Sequence, residues 1–228
     1  MRVLFIGNSH TYFNDMPHTF AGMVQHLTGE KPEVTMLAYS NKDLAWHREE
    51  YFAVRFALLY GNYDFCVLQQ QAHPFPEEET TFENAKRIFR LCEAAGTKPV
   101  VYMTWAMRGE SQVTEQMSSC YRRLAAECGA LLAPVGERFE QVQQAHPEID
   151  LFWTDGAHAS PYGDYLITAI FAALLTGKRD LSALSDDGVD FQADFEGENG
   201  LPLAIESVEA ARVRLDPNKT AILRDYAV

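Results

Sequence analysis

The sequence predicts a three-layer α/β/α sandwich around a five-stranded parallel sheet, and three observations predict it. Short apolar runs alternate with longer helical patterns at a spacing of about 30 residues, the cadence of βαβ units. Several of the runs are continuously apolar, as strands buried on both faces are. The chain has 228 residues, 47% of them hydrophobic, enough to bury a sizeable core, and no linker-like stretch divides it. Right-handed crossovers then place helices on both faces of the sheet.

The elements follow in order. Arg2–Ile6 is a β-branched-rich strand that stops at Gly7. Met16–Leu27 reads as a helix and Pro32–Ala38 as the second strand. Asp43–Tyr60 has apolar residues near helical spacing and is expected as one amphipathic helix. Asp64–Gln69 is the third strand; Glu77–Ala95 is a helix ended by Gly96. Pro99–Thr104 is the fourth strand, Ser111–Cys128 a helix ended by Gly129, and Ala130–Val135 a short fifth strand. Glu137–Gln144 and Pro161–Leu175 complete the helices of the sandwich. Residues 178–203 are rich in Asp, Gly and Ser, and 204–214 have the composition of one more helix. The whole chain, 1–228, reads as one domain with 178–228 as a C-terminal appendage.

Charge and cysteine usage exclude several classes of function. Thirty-two acidic against 19 basic residues give a net charge of −13. Such a surface repels phosphate backbones and anionic bilayers, so neither nucleic acid nor membrane is an expected partner. The first apolar run is too short for a signal-peptide core or a membrane span. Cys66, Cys92, Cys120 and Cys128 form no CxxC pair and no zinc-finger spacing, so free thiols in a reducing, cytoplasmic setting are expected, with no metal and no cofactor. His10, His47 and His73 carry no ligand spacing that would argue for a metal.

In open α/β sheets ligands sit beyond the carboxyl ends of the strands. That rule selects Gly7–Thr11, Tyr39–Asn41, Gln69–His73 and Trp105 as the rim of a site. Ser9 falls on the strand-to-helix turn, where backbone N–H groups favour a developing oxyanion. Serine alone is a poor nucleophile and needs a base. Asp155 stands three residues before His158, a spacing that puts carboxylate and imidazole on one side of a helical turn, so that the acid holds one ring nitrogen and the other faces the nucleophile. With 13 Asp and 7 His in the chain, chance supplies about 0.4 such pairs, and the sequence has two. The second, Asp15/His18, brackets Pro17 and suits a helix start, so it is read as a decoy.

Gly7-Asn8-Ser9 after the first strand, with Asp155-x-x-His158 before the last long helix, resembles the SGNH (GDSL-like) hydrolase superfamily. It looks closest to a bacterial subgroup whose first block reads GNSxT and whose third block is Gln-rich. The likeness spans roughly residues 1–177. It implies a flavodoxin-like strand order, a serine ester hydrolase, and the triad Ser9, His158 and Asp155. It also implies an oxyanion hole built from the N–H of Ser9, a second-block glycine N–H and a third-block asparagine. Here Asn8 replaces the usual aspartate, Ser40 and Asn41 stand at the glycine positions, and Leu68–Pro74 contains no asparagine. Asn41 is the expected backbone donor, since Asn tolerates the left-handed region. Gln71, with Gln69 behind it, is the expected side-chain donor. Trp105, His47 and His73 are candidate contacts for a small-molecule ester, for which an acetylated carbohydrate is the expected class. Two rivals carry different predictions: a domain of this fold that binds without catalysis, and an anion binder using Gly7–Thr11. The loop has one glycine and no lysine, unlike a phosphate-binding loop.

Overall fold

A computed structural model describes residues 1–190 and 211–228. Five parallel strands, β1 (Arg2–Gly7), β2 (Glu33–Ala38), β3 (Phe65–Gln69), β4 (Lys98–Tyr102) and β5 (Leu131–Ala133), form one sheet in the order β2-β1-β3-β4-β5. This is the expected flavodoxin-like order, with its switch point between β1 and β3. Side chains alternate across each strand and build two cores. Val3, Phe5, Val67, Val100 and Tyr102 face one side, against α2 (Met16–Thr28), α7 (Val135–Ala145) and α8 (Pro161–Thr176). Leu4, Ile6, Cys66, Leu68 and Val101 face the other, against α4 (Tyr51–Gly61), α5 (Glu78–Ala95) and α6 (Thr114–Cys128).

Helix α8 is the most apolar of these and is buried along most of its length. Its Phe171 meets Phe5 and Tyr102 edge-to-face at 5.7 and 4.9 Å between ring centroids. Truncating Phe171 to alanine there would cost about 3–5 kcal/mol. Ser160 caps α8 through its hydroxyl, which accepts from the Gly163 N–H, and Pro161 occupies the first turn. The helix thereby starts directly after the residues that carry Asp155 and His158.

Three elements depart from expectation. The segment Asp43–Tyr60 is two helices, α3 (Leu44–Glu49) and α4, broken at Glu50 (ψ +41°). The two halves have different anchors: His47 is tied to the end of β1, whereas Val54 and Leu58 are buried on the sheet. Strand β5 stops at Ala133, because Pro134 has no N–H for the ladder, and α7 begins at once at Val135. The helix expected over 204–214 lies mostly outside the described residues. Its last residues, Arg212–Arg214, form β7, antiparallel to β6 (Asp187–Val189). A final helix, α9 (Pro217–Tyr226), follows, and Leu181, Leu184, Leu215 and Leu223 are buried in the same core as Phe5.

Candidate active site

Strand β1 delivers Ser9. Its last residue, Gly7, has no room for a side chain: a Cβ would collide with Gln69 Oε1 and Thr11 Oγ1. Those two atoms are themselves bonded, since Gln69 Oε1 accepts from the Asn8 N–H (2.7 Å) and the Thr11 hydroxyl (3.0 Å). Asn8 caps the four-residue helix α1 (Ser9–Tyr12) by accepting from the His10 N–H at 3.1 Å. Ser9 is thus the first residue of a turn tied to β3 by a fully buried amide.

The partner loop, residues 152–159, is not the helical turn the sequence suggested. It is a reversal closed by the Phe152–Ala159 bridge and by the Trp153 N–H donating to His158 O at 2.9 Å. Gly156 turns it at φ +72°, a conformation costly for other residues. Three groups pin it from outside. The Trp105 indole donates to Ala157 O (2.9 Å), the Arg108 N–H to Gly156 O (2.9 Å) and the Asn14 amide to Ala159 O (3.1 Å). Arg108 also bridges to Asp150 and to the carbonyl of Phe152.

The two segments meet where the histidine reaches the serine. His158 Nε2 lies 2.7 Å from Ser9 Oγ, and His158 Nδ1 lies 2.5 Å from Asp155 Oδ2. The second carboxylate oxygen accepts from the N–H groups of Ala157 (2.8 Å) and His158 (2.9 Å). Partial burial works against the charge of Asp155, but these hydrogen bonds outweigh it and hold the carboxyl below its ordinary range. Two rings fix the imidazole further: Phe13 stacks on it at 4.3 Å and 18°, and His10 lies at 4.9 Å. Asp15 stands at the head of α2, and His158 rather than His18 meets the serine.

The other predicted residues separate into two groups. Asn41 is exposed on a turn that closes from the Lys42 N–H to Tyr39 O (3.2 Å), and it adopts φ +57°. Among the described residues, the N–H groups of Ser9 and Asn41 have no hydrogen-bond partner. Gln71 Nε2 donates to His73 O at 3.1 Å, which leaves its second amide hydrogen free. Gln69 is spent within the fold: besides its two accepted bonds it donates to Gln70 O at 2.5 Å.

His47, expected as a substrate contact, is 1% exposed and donates from Nε2 to Gly7 O at 2.8 Å, so that nitrogen braces the end of β1. Trp105 is likewise 2% exposed and stacked on Phe139 at 4.3 Å; its indole supports the partner loop from behind. His73 is half-buried beside His10, 5.3 Å between ring centroids, and its Nε2 is buried without a partner. Burial, then the nearness of His158, brings the His73 imidazole down to about 4. Burial first, then His158 and His73, holds His10 well below the ordinary range. Both rings are neutral near pH 7. Nothing in the sequence marked His10, Phe13, Asn14 or Arg108 as supports, although His10 and Phe13 flank Ser9 within one helical turn. Among the described residues, no group of three or more His, Cys, Asp or Glu is arranged to hold a metal ion, and no helix is long and apolar enough to cross a membrane.

A protein from Slackia heliotrinireducens, described as a candidate SGNH hydrolase, superposes with a TM-score of 0.66 at 29% identity, over 77% of this chain and 98% of that one. The chain has the SGNH-hydrolase fold. A candidate GDSL-like lipase from Parabacteroides merdae (TM-score 0.63, 15% identity, 77% and 95% covered) shares the fold. So does an acetylxylan esterase from Geobacillus stearothermophilus, solved as a catalytic mutant (0.61, 13%, 76% and 92%). The structures that share this fold thus include a candidate hydrolase, a candidate lipase and an esterase. No protein-family model matches the sequence, nor does any curated protein.

Proposed function

We propose that the protein is a serine ester hydrolase that acts on a small acyl ester through Ser9, His158 and Asp155. The observation that carries this reading is the unbroken relay from Asp155 Oδ2 through the His158 ring to Ser9 Oγ, at 2.5 and 2.7 Å. Ser9 Oγ attacks the ester carbonyl while His158 Nε2 takes its proton. The tetrahedral intermediate collapses as the imidazolium returns that proton to the leaving alcohol, and water repeats the cycle to release the acid. Asp155 keeps the tautomer that points Nε2 at the serine and offsets the charge on the ring. The developing oxyanion is met by the N–H groups of Ser9 and Asn41 and by the second amide hydrogen of Gln71. The chemistry needs no cofactor beyond these groups. An O-acetylated carbohydrate is the substrate class we favour, in line with the acetylxylan esterase of the same fold. Four free thiols suit a reducing compartment such as the cytoplasm.

The test is hydrolysis of p-nitrophenyl acetate by wild type and Ser9→Ala. Wild type is expected to turn over and the variant to lose at least about 1,000-fold in kcat. Equal rates would sink the assignment. A domain that binds without catalysis would show no turnover and no labelling of Ser9 by a fluorophosphonate.

A further inference from the structure

Asn8 sits between the two halves of the proposed oxyanion hole, and its bonds allow only an amide there. Asn8 is buried, with 2% of its surface exposed. Oδ1 faces the His10 N–H (3.1 Å), a group that only donates, and Nδ2 faces Lys42 O (3.0 Å), a group that only accepts. That pairing fixes which way the amide points. An ionised carboxylate has no hydrogen to give and would set a second acceptor against Lys42 O. The backbone of Asn8 is held in turn, because its N–H donates to the buried Gln69 Oε1 at 2.7 Å.

Lys42 closes the turn on which Asn41 is held at φ +57°. This turn is joined to the nucleophile segment at both ends. The Tyr39 N–H donates to Gly7 O at 3.2 Å, and Lys42 O accepts from Asn8. The Asn41 N–H lies between the two anchors. The left-handed conformation is costly for a residue with a side chain and persists only where the surroundings impose it. Here the amide of Asn8 is one of the groups that impose it.

We infer that Asn8 is a positioning residue: its side-chain amide clamps the Tyr39–Lys42 turn to the nucleophile turn and so sets the distance between the Ser9 and Asn41 N–H groups. The inference rests on the esterase reading for its catalytic consequence, though not for the clamp itself. The clamp also joins two departures from the sequence pattern, Asn8 and Asn41, into one device. The residue that replaces aspartate supplies the donor that steadies the residue replacing glycine.

The experiment compares wild type with Asn8→Asp by p-nitrophenyl acetate kinetics and by amide hydrogen exchange at Lys42 and Leu44. We expect kcat to fall at least tenfold with KM within twofold, since a donor misplaced by about 1 Å acts on the transition state more than on the ground state. Exchange at the two amides should quicken at least tenfold. Either readout left at its wild-type value overturns the inference. Should wild type not turn over the ester, the hydrolase reading fails and exchange alone decides the clamp. If Asn8→Asp does not fold, Asn8→Ala, which removes the amide without adding charge, takes its place with the same two readouts. An unchanged value of either then overturns the inference in the same way.

Discussion

The two flanks of Ser9 are built differently. On the His158 side a single reversal, 152–159, brings acid and base together through bonds between neighbours in sequence, and indole, guanidinium and amide groups brace it from outside. On the Asn41 side one local bond, from the Lys42 N–H to Tyr39 O, closes the turn, and the rest of its anchoring comes from afar. The turn is held by residues from β1, the Asn8 cap and the Gln-rich end of β3, and its key atoms are main-chain N–H groups. The first flank depends on the identity of two side chains. The second depends on backbone geometry, which several side chains hold in place. On the proposed mechanism, that difference makes the first flank sensitive to side-chain identity and the second to whatever moves the backbone.

The side-chain flank carries the largest expected effect. Asp155→Asn should lower kcat by about 100- to 10,000-fold, because an amide at Oδ2 favours the wrong tautomer of His158. A fall of less than tenfold would remove the acid from the mechanism. On the backbone flank, Asn41→Pro deletes the N–H and cannot reach φ +57°, so kcat should fall by about 100-fold. Asn41→Gly keeps both the N–H and the conformation and should be at least tenfold more active than Asn41→Pro. Equal activities would show that the side chain matters there after all.

Gln69→Leu probes the shared support. It leaves the buried Asn8 N–H and Thr11 hydroxyl without their acceptor, which should cost about 2–4 kcal/mol in urea unfolding. A loss below about 0.5 kcal/mol would show the strap to be dispensable. The smallest effect concerns pH. The folded state holds His73 neutral down to about 4, whereas the unfolded chain protonates near 6.5, so the unfolded state binds more protons in that window. Stability should therefore decline as pH falls from 6.5 to 4. His73→Asn should flatten that decline in thermal melts, and an unchanged slope would place the acid sensitivity elsewhere.

Much of this was legible in the sequence. The strands announced themselves as unbroken apolar runs, and Ser9, Asp155 and His158, which the fold brings within hydrogen-bond reach of one another, lie in two short motifs far apart in the chain. What escaped were features set by tertiary contact. The break at Glu50 arises because His47 is pulled to Gly7 O, a partner 40 residues away. Trp105 and His47 looked like rim residues from their place in the chain, but Trp105 braces the 152–159 loop and His47 the end of β1. The pattern of blocks also could not reveal that Gln69 is consumed in holding Asn8 and Thr11, or that Phe13 stacks on His158.

The hydrogen bond between Ser9 and His158 spans 149 positions of the chain. A growing polypeptide therefore carries an unactivated alcohol until its last long helix has left the ribosome and docked. Fragments that end before residue 158 should be inert toward esters however well their first strands pair. Recovery of turnover on dilution from denaturant would then time the closing of this long-range contact, which sheets of such non-local wiring reach late.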